Sequence, residues 1–317
     1  MAKTNFRYKL HRKILIFWAF FIGIGAICGA ITMFIDPLGT RTGMAGLLPG
    51  MQKLPLSNIL YHNLIFPGIA LLLVNGIPNI IAGIILIKNK KSGIILGTIL
   101  GITLMMWICI QFVIYPLNFM STTYFIFGIL QFFAGIFCLV GFAQSQFIFD
   151  INEYKNIGTN NNKLVVYFSR TGYTKKLAYE IANNAGAEIL EITTNEKISG
   201  DLGFFWCGRF GLIKQGMEIN QKDINIEKYD EVIICSPVWV FDISAPIREF
   251  CNTYSGRIKN VRYVITHFVN NALDYIATHL DNLLNTKHIS FTSIRCRYGK
   301  LKHILSIGEN NDTVTTK

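Results

Sequence analysis

Four long runs without charge constrain this chain more than any other feature. They lie at 14–35, 59–87, 93–117 and 124–147, and none holds Lys, Arg, Asp or Glu in its interior. Each is ~20 residues or longer, and a helix of ~20 apolar residues crosses ~30 Å of hydrocarbon. The chain is therefore predicted to open with an α-helical membrane domain of four transmembrane helices, residues 1–149. A cleaved signal peptide does not fit. The first run is too long, no small-residue cleavage site follows it cleanly, and three more spans come after it.

The loops set an orientation. The N-terminus carries Lys3, Arg7, Lys9, Arg12 and Lys13, and the loop after the second span carries Lys88, Lys90 and Lys91. The loop after the first span has only Arg41 and Lys53, and "YPLNFMSTT" after the third has no charge. By the positive-inside rule both termini are cytoplasmic. The expected location is an integral membrane protein of the cell membrane whose second half faces the reducing cytoplasm.

Charge follows the same division. Residues 1–160 carry 11 Lys and Arg against 3 acids, and residues 161–317 carry 19 against 16. The basicity belongs mostly to the apolar half, where it reads as anchoring to a lipid bilayer. No basic run is interleaved with aromatics in the second half, so nucleic acid is not an expected partner. The seven cysteines form no CxxC and no Cys/His spacing of a zinc site; they are read as reduced packing residues, and no metal is expected.

The membrane half shows little chemistry. Transmembrane electron transfer through b-type haem needs axial ligands, usually histidines on facing helices. Only His62 lies near a span and His11 sits in the basic flank, so haem is not expected. Ion paths usually show intramembrane ionisable groups. Here there are amides instead, Asn63, Asn75, Asn79, Gln111 and Gln131. Interhelical hydrogen bonding is their first reading, and binding of a polar headgroup or quinone the second. The glycines of "GIGAICGA" lie inside a span and serve close helix packing. Pro78 predicts a kink in the second span.

At 150–162, "DINEYKNIGTNNN", the composition turns polar and reads as a linker. Residues 163–317 then alternate β-branched runs with helical patterns. Strands are predicted at 163–168, 188–192, 231–236, 262–267 and 289–294, and helices at 173–184, 243–254 and 271–285. Near-continuous apolar strands such as "LVVYF" and "EVIICS" imply burial on both faces. This is the pattern of a doubly wound parallel α/β sheet, whose ligand crevice lies at the carboxyl ends of its strands.

The first loop at that edge is "SRTGYT", Ser169, Arg170, Thr171, Gly172, Tyr173 and Thr174. It opens a helix, so free backbone N–H groups and the positive dipole end point into it. Gly172 allows close backbone approach, and three hydroxyls add donors. A helix cap explains one hydroxyl, not three with a glycine. The loop is not a Walker motif, and hydroxyls in place of lysine suit a monophosphate. In the second loop, "SPVWVFDISAPIREF", Trp239 and Phe241 invite stacking against a flat aromatic ligand; the alternative is that Trp239 merely covers the sheet end. His267 ends a strand at the third loop, where it is read as structural before it is read as a ligand's hydrogen-bond partner or proton donor. His279, His288 and His303 receive no function.

Together, "YFSRTGYTKKLA", "SPVWV" followed by "APIREF", and "GDLGFFWCGRFGLIKQGMEI" between them resemble the flavodoxin family. The last segment looks like the aromatic, glycine-containing insertion of a flavodoxin subgroup. The resemblance implies a flavodoxin-like domain with strand order 2-1-3-4-5 and flavin mononucleotide (FMN) as cofactor. Its phosphate would lie on Ser169, Arg170, Thr171, Gly172, Tyr173 and Thr174. Its ring system would lie against Pro237, Val238, Trp239 and Phe241, with Thr266, His267 and the loop to Val269 at the other edge. Three departures are visible. Tyr173 is larger than is usual there, so its side chain is expected to point away from the phosphate. "THFVN" is a weak match. No long amphipathic helix follows the fifth strand, which leaves one sheet face to the insertion, a partner or the membrane. The implied function is a membrane-anchored redox protein passing electrons between a cytoplasmic donor and a membrane partner protein or quinone. The alternatives are a flavin-dependent quinone or protoporphyrinogen oxidoreductase, with the insertion at 200–216 forming its pocket, and a non-redox sensor.

Overall fold

A computed structural model of the chain describes residues 8–146, 149–297 and 300–308. The basic residues Lys3 and Arg7 lie outside the described residues. Contacts divide the chain into two compact units, one over Phe6–Phe142 and one from Ala143 onward.

The first unit is built on four apolar helices, α1 (Tyr8–Ile35), α2 (Ile65–Ile87), α3 (Lys91–Ile114) and α4 (Phe119–Ser145). The shortest has 23 residues. At ~1.5 Å per residue it is ~35 Å long, so each is long and apolar enough to cross a membrane. Small residues bring α3 and α4 together: a Cβ on Gly101 would lie 2.6 Å from the backbone nitrogen of Phe132. In α2 the irregularity precedes the proline. Leu72–Gly76 forms a π-turn, and the Ile77 N–H reaches back to the Leu72 carbonyl. Pro78 has no N–H to give the preceding turn, and the widened turn accommodates that loss. One pair of these amides joins two helices, α2 and α4. Asn79 Nδ2 donates to the Asn75 carbonyl at 2.8 Å, and Gln131 Nε2 of α4 donates to Asn79 Oδ1 at 2.8 Å, all in fully buried positions.

The second unit is an α/β sheet. Its strands are β1 (Asn160–Tyr167), β2 (Ala187–Glu191), β3 (Glu231–Trp239), β4 (Val261–His267), β5 (His288–Arg297) and β6 (Lys300–Gly308). They lie side by side in the order β2-β1-β3-β4-β5-β6. All pairings are parallel except that of β6 on β5. Helices α5 (Tyr173–Ala185), α6 (Gly200–Leu212), α7 (Ala245–Thr253) and α8 (Tyr275–Leu284) connect them. Alternation along the strands makes two cores. Leu164, Val166, Val232 and Ile234 pack with Ile247 and Phe250 of α7 and Ile276 and Leu280 of α8. Val165, Tyr167, Ile233 and Cys235 pack on the opposite face with Leu177, Ala178 and Ile181 of α5.

Three features differ from the sequence reading. The polar stretch at 150–162 is partly structured. Asn156 bonds Asn183 at the end of α5 through both its backbone N–H and its side-chain amide, and β1 already begins at Asn160. The insertion contains a full helix, α6, despite four glycines in thirteen residues. Glycine is poor in helices, but tertiary contact decides here: a Cβ on Gly203 would lie 2.3 Å from the Ile198 carbonyl carbon. Finally, the segment after β5 is an antiparallel edge strand, β6, with Leu301 against the α5-side core.

Candidate functional site

Strands β1, β3 and β4 are neighbours, so their ends at Tyr167, Trp239 and His267 lie along one edge of the sheet. From β1 the chain runs outward to β2 and returns on the other side at β3. Such a reversal opens a crevice at the strands' carboxyl ends.

The first loop leads from β1 into α5. Gly172 has φ 94°, a left-handed conformation, and its N–H donates to Ser169 Oγ at 3.1 Å. No side chain caps the helix beyond it. The first backbone N–H groups of α5 have no intrahelical partner and mark its positive end. Ser169, having accepted one bond, keeps its own hydrogen to donate. Thr171 is half-buried, and no described residue bonds its hydroxyl. Thr174 is buried, and its hydroxyl lies 2.8 Å from that of Thr266 at the end of β4, which joins the first and third loops.

Two side chains of this loop turn elsewhere. Arg170 is buried. Its Nε donates to the Ile198 carbonyl at 2.8 Å and its Nη2 to the Gly200 carbonyl at 2.6 Å, while its guanidinium lies over the Phe204 ring. The charge thus ties the loop to the start of α6. Tyr173 is buried in the core with its ring edge-on to Phe268.

The second loop is a tight hairpin. Val238 pairs with Ile243 and Trp239 with Asp242, leaving Val240 and Phe241 as a two-residue tip. Both tip residues have positive φ, 48° and 63°. Turns of this kind favour Asn-Gly, and a β-branched residue there is strained. Trp239 is half-buried, edge-on to Phe168 at 5.4 Å, and α6 presses on it: a Cβ on Gly211 would lie 3.0 Å from Val240 Cγ2 and 3.2 Å from the Trp239 carbonyl oxygen. Phe241 is 66% exposed. Of the two aromatic rings, Phe241 is the one with a face open at the crevice.

Asp242, directly after the tip, is buried. Its Oδ2 accepts from Arg248 Nη2 of α7 at 2.8 Å and its Oδ1 from His279 Nδ1 of α8 at 2.9 Å. Arg248 Nη1 lies 3.2 Å from His279 Nε2. A guanidinium only donates, so Nε2 accepts and Nδ1 donates to Asp242. Burial alone would raise the Asp242 pKa. The Ile243 N–H, Arg248 and His279 outweigh it and hold the carboxyl below its ordinary value.

His267 is buried with both nitrogens committed. Nδ1 lies 3.1 Å from the Val269 carbonyl and Nε2 2.7 Å from Ser293 Oγ. Only a ring N–H can bond that carbonyl, so Nε2 accepts from the serine. Burial holds its pKa below the ordinary histidine value, and Arg295 adds to that, against the opposing effect of the Val269 bond. Its side chain serves the strand ends.

The sheet therefore gathers Ser169–Thr174, Pro237, Val238, Trp239, Phe241, Thr266 and His267 along one edge, with Arg170, Tyr173 and His267 directing their side chains into the protein. Sequence reasoning missed Asp242, Arg248 and His279. Their 37-residue span from Asp242 to His279 leaves no local signature.

Residues 162–301 match the model of the flavodoxin family. A search of curated proteins returns no match. A flavoprotein from Lactobacillus acidophilus, solved in complex with FMN, is 21% identical, with 43% of this chain and 94% of that one covered and a TM-score of 0.38. The apo form of the Lactobacillus acidophilus flavoprotein is 19% identical, with 42% and 91% covered and a TM-score of 0.32. A flavodoxin, WrbA-like protein from Agrobacterium tumefaciens is 16% identical, with 40% and 76% covered and a TM-score of 0.26. Residues 162–301 of this chain are a flavodoxin-family domain.

Proposed function

We propose that the chain is a membrane-anchored flavodoxin-type redox protein that binds FMN and passes electrons between a cytoplasmic donor and a membrane-associated acceptor. The observation that carries the reading is the uncapped start of α5 behind left-handed Gly172, beside a hairpin that exposes Phe241. The first suits a monophosphate, which needs backbone N–H groups and hydroxyls at a helix's positive end. The second suits a flat aromatic ring. The residues present thus fit FMN: Ser169, Thr171 and the N–H groups of Tyr173 and Thr174 would hold the phosphate, with Gly172 shaping the turn, and Pro237, Val238, Trp239 and Phe241 would flank the ring. Bound flavin would supply the electron chemistry, while the protein supplies binding, orientation and surrounding charge.

The four apolar helices would hold this domain at the membrane, with both termini in the cytoplasm by the distribution of Lys and Arg. Reporter tags at either terminus should then read cytoplasmic and a tag at Gly46 external. An external C-terminus would remove the domain from its electron donors and overturn the reading. The decisive experiment is the absorbance spectrum of the full chain, purified in detergent and reconstituted with FMN. Bound flavin bands are expected; a colourless protein overturns the proposal.

A second reading is a flavin-dependent oxidoreductase acting on its own substrate, such as a quinone. A cavity of about 460 Å³ beside α6, lined by Thr194, Glu196, Lys197, Leu202, Trp206 and Glu218, favours it. Steady-state turnover with reduced nicotinamide and a quinone analogue separates enzyme from carrier.

A further inference from the structure

We infer that Asp242, Arg248 and His279 form a clamp that holds the hairpin tip at Val240–Phe241 in its left-handed conformation, and so sets where Trp239 and Phe241 stand. The presentation of these rings to a ligand rests on the proposal of FMN at this edge; the clamping of the tip does not.

A Val-Phe tip has neither glycine nor asparagine to favour two successive positive φ angles. Something beyond the turn must hold it. The ladder to the tip is only two residue pairs long. What remains is tertiary: α6 packs against the tip through Gly211, and the polar contacts come from two other helices. Asp242 closes the turn, and its two carboxylate oxygens are taken by Arg248 from α7 and His279 from α8. Tyr275 lies four residues before His279 on the same face of α8, and its hydroxyl donates to the Phe241 carbonyl within the tip. Both helices are themselves fixed by the core, α7 through Ile247 and Phe250 and α8 through Ile276 and Leu280. The buried charges thus transmit the position of the core to the tip. Asp242, Arg248 and His279 are positioning residues: none is assigned contact with FMN.

The test uses the full chain in detergent, with amide hydrogen exchange at residues 239–243 and FMN titration by fluorescence quenching. Asp242→Asn should speed exchange at these amides about tenfold or more and raise the FMN dissociation constant by a similar factor, with β1 and β4 protected as in the parent. Adding Val240→Asn should return both readouts to within about threefold of the parent, because asparagine adopts the left-handed region readily. A simple loss of packing would not be repaired by a residue that touches neither Arg248 nor His279. Parent-like exchange in Asp242→Asn, or no recovery with Val240→Asn, overturns the clamp. If Asp242→Asn loosens the whole sheet, His279→Gln takes its place: faster exchange confined to 239–243 supports the clamp, and parent-like exchange there overturns it. If the parent binds no FMN, the proposed function falls, and hydrogen exchange alone still decides the clamp.

Discussion

The two loops that meet between β1 and β3 reach the left-handed region by opposite means. The first uses a glycine, Gly172 at φ 94°, for which that conformation carries no Cβ penalty. The second uses Val240 and Phe241, and left-handed backbone costs roughly 1–2 kcal/mol for each such residue. The turn of the first loop is closed by its own neighbour: Ser169 takes the Gly172 N–H three residues on. The second depends on Arg248, Tyr275 and His279, which lie on two later helices. One loop closes its turn locally and, on the proposed function, leaves its polar groups for the phosphate. The other is a strained structure kept in place from behind.

If that contrast holds, the first loop should be the stronger determinant of binding. Replacing Ser169 and Thr171 together by alanine removes two donors to a charged phosphate. Each such bond contributes roughly 1.5–3 kcal/mol. With ~1.4 kcal/mol per tenfold, the FMN dissociation constant should rise ~100-fold or more, measured by quenching of flavin fluorescence. Stability should fall only by the lost Gly172–Ser169 bond, about 1 kcal/mol, because neither hydroxyl is needed by the core. Unchanged affinity would reduce the loop to a helix start with no ligand.

The two aromatic residues of the second loop should separate in the same way. Trp239→Ala removes a half-buried ring packed on Phe168 and α6. Full truncation of a buried aromatic costs ~3–5 kcal/mol, so this variant should lose roughly 2 kcal/mol of stability. Phe241→Ala should leave stability nearly unchanged and weaken FMN about 2- to 13-fold, the equivalent of ~0.5–1.5 kcal/mol of ring contact. The reverse pattern would make Trp239 the ligand's stacking partner and Phe241 a packing residue.

The contrast also explains what could be read without coordinates. The long apolar helices and the buried strands were legible because their signals are local: uncharged runs of sufficient length, and β-branched runs such as "VVYF". The glycine-hydroxyl loop was legible for the same reason. The orientation of Arg170 was not, because its partners are carbonyls at Ile198 and Gly200, at the start of an insertion whose glycines obscured helix α6. Edge strand β6 was missed because its polar side chains suit no buried strand; it needs only one partner, β5. His279 carried no sequence signal, since both its partners come from elsewhere in the fold.

A smaller effect tests the strain itself. Val240 is 40% exposed, so changing it disturbs little packing. Val240→Asn in the otherwise unchanged chain should recover part of the left-handed cost, about 1 kcal/mol. For a domain of this size that raises the melting temperature by roughly 2–4 °C, followed by circular dichroism of the aromatic bands. No change would mean that the tip is not strained, and the two loops would then differ in sequence only.

The smallest effect concerns the third loop, which meets the first through Thr266. His267 holds Val269 and Ser293 through a neutral ring, and burial keeps its pKa below the ordinary value. In the unfolded chain the ring would take up a proton near pH ~6.5. The folded state, with the depressed pKa, resists that proton. Between the two values the unfolded chain therefore binds more protons, and stability falls as pH falls. The contribution of His267 is complete above pH ~6.5 and is lost progressively as the pH drops toward and through the depressed value. Gln at this position can still donate to the Val269 carbonyl and accept from Ser293, but it does not titrate. The melting temperature of the parent should decline on acidification below pH ~6.5 more steeply than that of His267→Gln. The carboxylate of Asp242, also depressed, is lost only at more acid pH and leaves this window untouched. Parallel curves for parent and variant would show that His267 is not held neutral, and that the third loop, unlike the hairpin, rests on nothing that titrates.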